Sequence, residues 1–317
     1  MKKKENYQKF LSIDLTKNCT NNCLFCVVEG RSGKATDQEF SDVEKFLRFY
    51  KSHGFDSVNL HGGEPTIYKR FKDLIILINE LGYKDITVQT NGCRLENEEF
   101  VSFLIKNRVT LFVVSFHDCD KESHNTLTKN PKSFDQATNG IKTVLRLGGD
   151  VRTNTVLVKD NYKRVTQIVD FLYDLNVKKF NISSLNPYWL WLEKQQELFD
   201  QLVPSYQELS PHLCEMLDKY ATKDVKITLE GFPYCLFPGY DDYNLYSYTR
   251  EITLLSDFEK SIIDYENFLN ENGIRLKRQE CQKCIKNNQC RGVWKGYLKN
   301  KGWAEFQPIS LQSTVNK

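Results

Sequence analysis

Asn18-Cys19-Thr20-Asn21-Asn22-Cys23-Leu24-Phe25-Cys26 follows directly on an apolar-rich run at residues 10–15 that is typical of a β-strand. All three thiols therefore lie on one loop at the carboxyl end of a strand, where alternating β/α architectures build their sites. A C-x3-C-x2-C loop can place three thiolates at three corners of an iron-sulfur cube, which leaves the fourth iron without a protein ligand. A structural zinc site usually takes four protein ligands, and three cysteines on one loop do not supply them.

Strand-like runs alternate with amphipathic helices through the first two thirds of the chain. Further strands are predicted at 57–60, 86–89, 110–115, 151–157 and 179–183, and helices around 96–106, 134–147 and 162–176. Six βα units in a row predict a parallel sheet with its helices outside. Six is two short of a closed eight-fold barrel, so we predict an α/β fold, an open partial (β/α)6 barrel.

Motifs with chemical meaning recur where the successive predicted strands end. His61-Gly62-Gly63-Glu64-Pro65 ends the second strand and Thr90-Asn91-Gly92 the third, while Ser115 ends the fourth and Asn154 lies in the fifth. Glycines let backbone carbonyls approach a ligand closely, and a nearby carboxylate suits an ammonium group. Each motif alone is an ordinary turn or strand residue. In register with the cysteine loop, they reinforce one another.

This series of motifs resembles the radical SAM superfamily over roughly residues 9–185. The resemblance implies a [4Fe–4S] cluster on Cys19, Cys23 and Cys26, whose open iron binds the amino and carboxylate groups of S-adenosylmethionine. It implies that reduction of the cluster cleaves this cofactor to a 5'-deoxyadenosyl radical. It further implies cofactor contacts, with Phe25 flanking the adenine, Gly62, Gly63 and Glu64 holding the amino group, and Thr90, Asn91, Ser115 and Asn154 as polar contacts at the strand ends.

A second group of cysteines lies near the end of the sequence. Cys281, Cys284 and Cys290 form C-x2-C-x5-C, and a closed cubane needs a fourth ligand, for which Cys235 in a loop is the best candidate. Cys214 lies in a helical sequence and is expected to be a packed thiol. One upstream cysteine followed by this trio resembles the SPASM and twitch subfamily in its short form, with one auxiliary [4Fe–4S] cluster. The alternative is a zinc knuckle on the same four thiolates.

Composition restricts the class of protein. The 44 basic and 41 acidic side chains leave a formal charge of +3, too balanced for a protein that binds polyanions by bulk charge. No apolar run approaches the roughly 20 residues of a membrane span, and the N-terminal residues do not form a signal core, so a cytoplasmic protein is expected. Ten cysteines in such a chain favour metal or redox chemistry over disulfides.

Several isolated residues are candidates for the substrate site. His117 and Asp118 follow the fourth strand, and we predict that they contact substrate as catalytic residues. Cys93 and Cys119 could face the same mouth, although free cysteine is usually a small buried hydrophobe. Arg152 could bind a carboxylate or phosphate of the substrate, or it could face outward. Two roles are open for Tyr188, Trp189, Trp191 and the tyrosines at 234–248. They could line the substrate cavity, but packing between the barrel and its appendage is favoured.

The predicted protein is a radical SAM oxidoreductase or maturase with two domains, a barrel at 1–205 and an auxiliary-cluster domain at 206–317. Its substrate is either a ribosomally made peptide that is oxidised or crosslinked, or a small sugar- or nucleoside-like molecule that is dehydrogenated or rearranged. The sequence has no evident N-terminal leader-binding domain, which weakens the peptide hypothesis. An external electron donor such as flavodoxin or ferredoxin is expected, without nucleic acid or membrane. The alternative from another class is a non-catalytic, metal-stabilised RNA-binding module, suggested by Lys283, Lys286, Arg291 and Lys295.

Overall fold

The structure is a computed structural model, and it describes residues 8–28, 37–187, 196–244, 249–254, 262–264 and 273–310. Tyr188, Trp189, Trp191, Tyr246 and Tyr248, which the sequence predicts to pack between barrel and appendage, lie outside these ranges. The strands of the main sheet are β1 (Gln8–Asp14), β2 (Ser57–His61), β3 (Asp85–Thr90), β4 (Leu111–Ser115), β5 (Val151–Leu157), β6 (Lys179–Ser184), β7 (Lys226–Glu230), β8 (Thr249–Leu254) and β9 (Ile262–Asp264).

These strands form one open sheet in the spatial order β7-β6-β5-β4-β3-β2-β1-β8-β9. Strands β1 to β7 are parallel and follow chain order, and they curl into a half-barrel. The predicted partial barrel is confirmed. At the far edge β8 pairs in parallel with β1, and β9 is antiparallel to β8.

The helices described are α1 (Phe40–Ser52), α2 (Phe71–Glu80), α3 (Glu98–Lys106), α4 (Lys121–Thr128), α5 (Ser133–Arg146), α6 (Val165–Asp174), α7 (Gln196–Leu202), α8 (Tyr206–Tyr220) and α9 (Lys295–Lys301). Their starts follow ordinary capping chemistry. The side chain of Asn97 accepts a hydrogen bond from Phe100 N at 2.8 Å before α3, and Ser205 accepts one from Glu208 N at 3.1 Å before α8. The sequence did not predict α4, which has only one large apolar residue, Leu127.

The two faces of the half-barrel differ in polarity. The face turned toward the helices carries buried apolar residues such as Val58, Leu60, Val88 and Val114. The alternate positions point into the open interior and are largely polar: Ser12, Asp14, Asn59, His61, Thr87, Gln89, Ser115, Arg152, Asn154, Asn181, Ser183, Thr228 and Glu230. A parallel sheet that is covered on both faces normally carries apolar residues on both. The polar inner face therefore lines a chamber rather than a second core.

The chain beyond residue 205 contributes to the sheet as well as to an appendage. The strand-like run at 225–229, which the sequence places in the appendage, forms β7 and pairs with the edge of β6, whose backbone groups would otherwise be unpaired. The short strands β10 (Arg275–Leu276) and β11 (Val293–Trp294) form a separate antiparallel pair beside the C-terminal cysteines. The domain boundary at 205 stays a prediction. Among the described residues, no helix has both the length and the apolar character needed to cross a membrane.

Candidate active site at the carboxyl ends of the strands

The first cysteine loop leaves β1 at the carboxyl edge of the sheet. Cys19, Cys23 and Cys26 form no disulfide bond, and all three are partly exposed. Backbone N–H groups point at two of the sulfurs, since Asn21 N lies 3.4 Å from Cys19 Sγ and Val28 N lies 3.3 Å from Cys26 Sγ. Iron-sulfur clusters are held by thiolates whose sulfurs accept such hydrogen bonds. The donor set therefore fits the predicted cluster.

The loop is anchored to α4. Asn22 N donates to Thr128 O and Leu24 N donates to Leu127 O, both at 2.9 Å, and Asn130 Nδ2 donates to Asn21 Oδ1 at 2.7 Å. These bonds join segments about 100 residues apart in the chain. The last turn of α4 therefore fixes the position of the cysteine loop. The sequence of the loop itself contains no pattern that predicts this contact.

The Gly62-Gly63 pair lies against the entry to the cysteine loop. A Cβ atom on Gly63 would come within 2.2 Å of Asn18 O, and one on Gly62, whose φ is +138°, within 2.5 Å of Thr16 O. The backbones are hydrogen-bonded at this point, with Gly63 N donating to Thr16 O at 2.6 Å and Glu64 N to Asn18 O at 2.7 Å. Only glycine allows this approach, so the pair fixes the loop to the end of β2.

Glu64 joins the ends of β2 and β3 from a fully buried position. Its Oε1 accepts hydrogen bonds from Thr66 N (3.2 Å), Thr66 Oγ1 (2.5 Å) and Thr90 Oγ1 (2.6 Å), and its Oε2 accepts one from Asn91 N (2.7 Å). Burial raises the pKa of the carboxyl group, and the four hydrogen bonds oppose this shift. The carboxylate is enclosed by protein, so a direct bond to the cofactor's amino group, as the resemblance implies, stays a prediction.

We expect Glu64→Gln to weaken S-adenosylmethionine binding by roughly tenfold or more, because an amide cannot accept hydrogen bonds at both of its ends and the end of β3 would shift. Iron content should stay at the level of the unaltered protein. Equilibrium binding of the cofactor and iron analysis measure the two effects. Glu99→Gln, an exposed position on α3, is the matched control. Loss of the iron in Glu64→Gln would assign the residue to the cluster rather than to the cofactor.

The Thr90-Asn91-Gly92 turn contacts the start of the cysteine loop. Asn91 Nδ2 lies 2.8 Å from Thr20 Oγ1 and 3.7 Å from Cys19 Sγ, and Cys93 Sγ lies 3.1 Å from Thr20 Oγ1. Burial raises the pKa of the Cys93 thiol to about 12, so this thiol is protonated at neutral pH. Burial also raises the pKa of Cys119. Cys93 contacts the cysteine loop through Thr20, and Cys119 follows β4 in the chain. Because the pKa of each thiol is raised, both are protonated at neutral pH.

His117 and Asp118 are both buried rather than exposed at the mouth. Asp118 is fully buried and forms an ion pair with Arg164, whose Nε lies 3.0 Å from Asp118 Oδ1. The His117 ring meets Phe25 edge-on, with centroids 4.8 Å apart, and burial lowers the pKa of His117 to about 3. His117 is therefore neutral at physiological pH. The predicted contact with substrate gains no support from this arrangement, which instead suits residues that hold Phe25 and the β4 loop in position.

A polar network spans the inner face of β5, β6 and β7. Asn154 Oδ1 accepts hydrogen bonds from Asn181 Nδ2 at 2.8 Å and Ser183 Oγ at 2.9 Å, so the Asn154 amide N–H groups point elsewhere. Asn181 Nδ2 also donates to Glu230 Oε2 at 2.7 Å. Ser115 lies beside Asn154 in the register of β4 and β5. The sequence reasoning missed Asn181, Ser183 and Glu230. Two features of the sequence could have indicated them: polar residues at alternate positions of β6, and a glutamate followed by glycine at the end of β7.

The second cysteine group gathers around one cavity in the appendage. Cys235, Cys281, Cys284 and Cys290 all line this cavity, together with apolar residues that include Trp303 and Phe306. Burial, and then the neighbouring Cys290, Cys284 and Cys281, raise the pKa of Cys235 to about 12. Cys214 lies on α8 and does not line the cavity. The structure thus brings together the four thiols that the sequence grouped.

Comparisons with known proteins give a consistent family. A model of the Radical SAM superfamily matches residues 13–172, slightly more than half of the 317 residues. A probable GTP 3',8-cyclase of Saccharolobus islandicus (strain M.14.25 / Kamchatka #1) is 29% identical over 182 residues, which are 57% of this chain and 58% of that protein. One of Methanothermobacter thermautotrophicus is 26% identical over 219 residues, 67% of this chain and 68% of that protein.

Solved structures extend the likeness in fold beyond the barrel. Streptococcus suis SuiB bound to S-adenosylmethionine has a TM-score of 0.67 at 19% identity, covering 96% of this chain and 77% of SuiB. Native anSMEcpe with bound AdoMet and Kp18Cys peptide has a TM-score of 0.57 at 16% identity, covering 96% and 94%. At these identities the likeness concerns the fold alone. The family match, which spans the cysteine loop and the motifs at the ends of β2 to β5, confirms the resemblance seen in the sequence, and this chain belongs to the radical SAM superfamily.

Proposed function

We propose that this chain cleaves S-adenosylmethionine reductively and uses the 5'-deoxyadenosyl radical to remove a hydrogen atom from a substrate in the half-barrel. When bound to Cys19, Cys23 and Cys26, a [4Fe–4S] cluster with one open iron supplies the chemistry of that cleavage. The protein's part is to hold the cofactor, to orient the substrate and to keep water from the reacting atoms. An external reductant such as flavodoxin or ferredoxin is part of the proposal.

The observation that carries this proposal is a polar chamber that opens beside the cysteine loop. The inner face of β1 to β7 is polar, whereas the outer face of the same strands is apolar and covered by helices. The loop, the glycine pair and the Thr90-Asn91-Gly92 turn are hydrogen-bonded to one another at the rim of this chamber. A substrate bound inside would therefore lie next to the cofactor.

Residue roles follow from the hydrogen-bond geometry. Asn154 has its acceptor engaged by Asn181 and Ser183, so it can donate to a carboxylate or ribose oxygen of the cofactor. Ser115 beside it is partly exposed and can do the same. Phe25 is held by His117 and would flank the adenine. We propose that His117 and Asp118 act as positioning residues for this wall of the site.

We propose two substrate classes, each with its own support. A nucleoside-like small molecule is supported by the sequence relatives, which are named GTP 3',8-cyclases, although the first of them match this chain over only 58% of their own length. A peptide is supported by the fold likeness, since one structure of SuiB is bound to the precursor peptide SuiA and covers 96% of this chain. Superfamily membership favours either enzyme over the RNA-binding module.

Deuterium transfer from labelled GTP tests the nucleotide hypothesis. The reduced protein is incubated anaerobically with S-adenosylmethionine and with GTP that is deuterated on its ribose, and the 5'-deoxyadenosine formed is analysed by mass spectrometry. Incorporation of one deuterium is the result expected for a nucleotide substrate, because the radical takes its hydrogen atom from the substrate. Formation of 5'-deoxyadenosine without deuterium would exclude GTP as the substrate.

For the second cysteine group we propose one closed auxiliary [4Fe–4S] cluster on Cys235, Cys281, Cys284 and Cys290. Sulfurs around a zinc ion lie about 3.8 Å apart, since each Zn–S bond is about 2.3 Å, whereas a cluster of several irons spaces its thiolates more widely. The four thiols line one cavity together with apolar residues, and this shared enclosure supports a single metal centre that all four hold.

A further inference from the structure

Arg152 is a charged residue on the inner face of the half-barrel. Along β5 the side chains of Val151, Thr153, Thr155 and Leu157 are buried, whereas Arg152, Asn154 and Val156 alternate with them and are partly accessible. Arg152 thus shares the inner face with Asn154, the residue proposed to meet the cofactor. Its two neighbours in register are Val113 on β4 and Lys179 on β6.

The guanidinium group of Arg152 has no hydrogen bond or ion pair with any residue that the structure describes, and its Nε is buried without a partner. Other arginines of the barrel are engaged. Arg94 donates to Thr66 O, Arg146 pairs with Glu98, and Arg164 pairs with Asp118. Burying unpaired donors costs free energy, so an unsatisfied buried group in a native protein calls for a partner that binds there.

Glu230 balances the charge of Arg152 without using its donors. Burial lowers the pKa of Arg152, while the charges of Glu230 and Asp150 oppose the shift. An arginine keeps its proton in proteins, so a cation is present in the chamber. Glu230 Oε2 already accepts hydrogen bonds from Asn181 and Ser183, and Asp150 is paired with Lys179 at an exposed position. The attraction to Glu230 therefore stabilises the cation from a distance.

We propose that Arg152 is an oxyanion subsite in the half-barrel and that the substrate carries a phosphate or carboxylate group which binds there. A planar guanidinium group matches both oxyanions with two parallel N–H···O bonds. The inference rests on the proposed function, because it requires the substrate to enter the chamber. It deepens that proposal, since it restricts the substrate to an anionic molecule whose charged group lies on the β5 side of the interior.

The test is a calorimetric titration of the anaerobically reconstituted protein, loaded with S-adenosylmethionine, at constant ionic strength. Inorganic phosphate is the probe in one arm and acetate in the other, which distinguishes the two oxyanions. We expect at least one probe to bind, and Arg152→Gln to weaken its binding at least tenfold, because the variant removes the positive partner of a buried charge pair. Arg152→Lys should bind with intermediate affinity. Arg146→Gln, on the exposed surface of α5, is the matched control and should bind as the unaltered protein does.

Equal affinities in Arg152→Gln and the unaltered protein would overturn the inference, and so would the absence of binding by both probes. Circular dichroism and iron content check that the variants are folded, and if Arg152→Gln is not, the ratio of affinities between Arg152→Lys and the unaltered protein decides. A different result would refute the proposed function. It is refuted if the unaltered protein does not cleave S-adenosylmethionine, whereas this inference concerns anion binding alone.

Discussion

Replacing any one of Cys19, Cys23 and Cys26 by alanine is expected to abolish formation of 5'-deoxyadenosine. Three thiolates are the whole protein ligand set of a cube with one open iron, so the loss of one should dismantle the cluster rather than weaken it. The loop itself should stay in place, because its anchors are the backbone bonds of Asn22 and Leu24 to α4. We therefore expect a loss of about four irons per chain from a protein that is still folded.

Iron analysis, circular dichroism and chromatography of the reaction mixture measure these effects together. Cys214→Ala is the matched control, because this cysteine lies on α8 outside both groups of predicted ligands. Cleavage at the unaltered rate in all three loop variants would refute the ligand assignment. Cleavage lost in Cys214→Ala as well would show that the substitutions act through folding.

The second large effect concerns the C-terminal thiols. A variant that lacks Cys19, Cys23 and Cys26 should retain about four irons per chain, with a reduction signal that does not respond to S-adenosylmethionine. Four protein ligands leave no iron free, so such a cluster could act only in electron transfer or as a structural element. A substrate radical that gives one electron to it becomes an oxidised product, which favours net oxidation over a redox-neutral rearrangement.

Adding Cys235→Ala to that triple variant should remove the remaining iron or open the cluster. Zinc in place of iron, after anaerobic purification without reconstitution, would contradict the proposal and leave the appendage as a structural zinc domain. A signal that shifts when substrate is added would mean that one of the four cysteines, first of all Cys235, is not a ligand. The metal content and electron paramagnetic resonance of the triple variant decide among these outcomes.

The part of the site that the sequence predicted is local. The cysteine loop, the Gly62-Gly63-Glu64 motif and the Thr90-Asn91-Gly92 turn are each short, and each follows a strand, so parallel topology alone brings them to one edge. Residue roles that depend on burial could not be predicted from such short motifs. Asp118 lies three residues after the end of β4, yet it pairs with Arg164, which is 46 residues away. No sequence pattern near Asp118 predicts that its partner is Arg164.

Long-range pairing also explains what the sequence missed in the fold. Helix α4 has a weak apolar pattern, and it matters because its last turn holds the cysteine loop. Strand β7 had a recognisable pattern, but its place beside β6 depends on which strand edge is unpaired. Arg152 illustrates the same limit. The sequence left open whether it faces inward or outward, and the alternation of burial along β5 settles that it faces the chamber.

The most direct test of the central claim is the fate of S-adenosylmethionine on the unaltered protein. The chain is reconstituted anaerobically to its full iron content, reduced with dithionite and incubated with S-adenosylmethionine, and both products are quantified. The account predicts 5'-deoxyadenosine and methionine in equal amounts, with at least one cofactor molecule cleaved per chain. Intact S-adenosylmethionine after incubation with protein that carries reduced iron-sulfur clusters would contradict it.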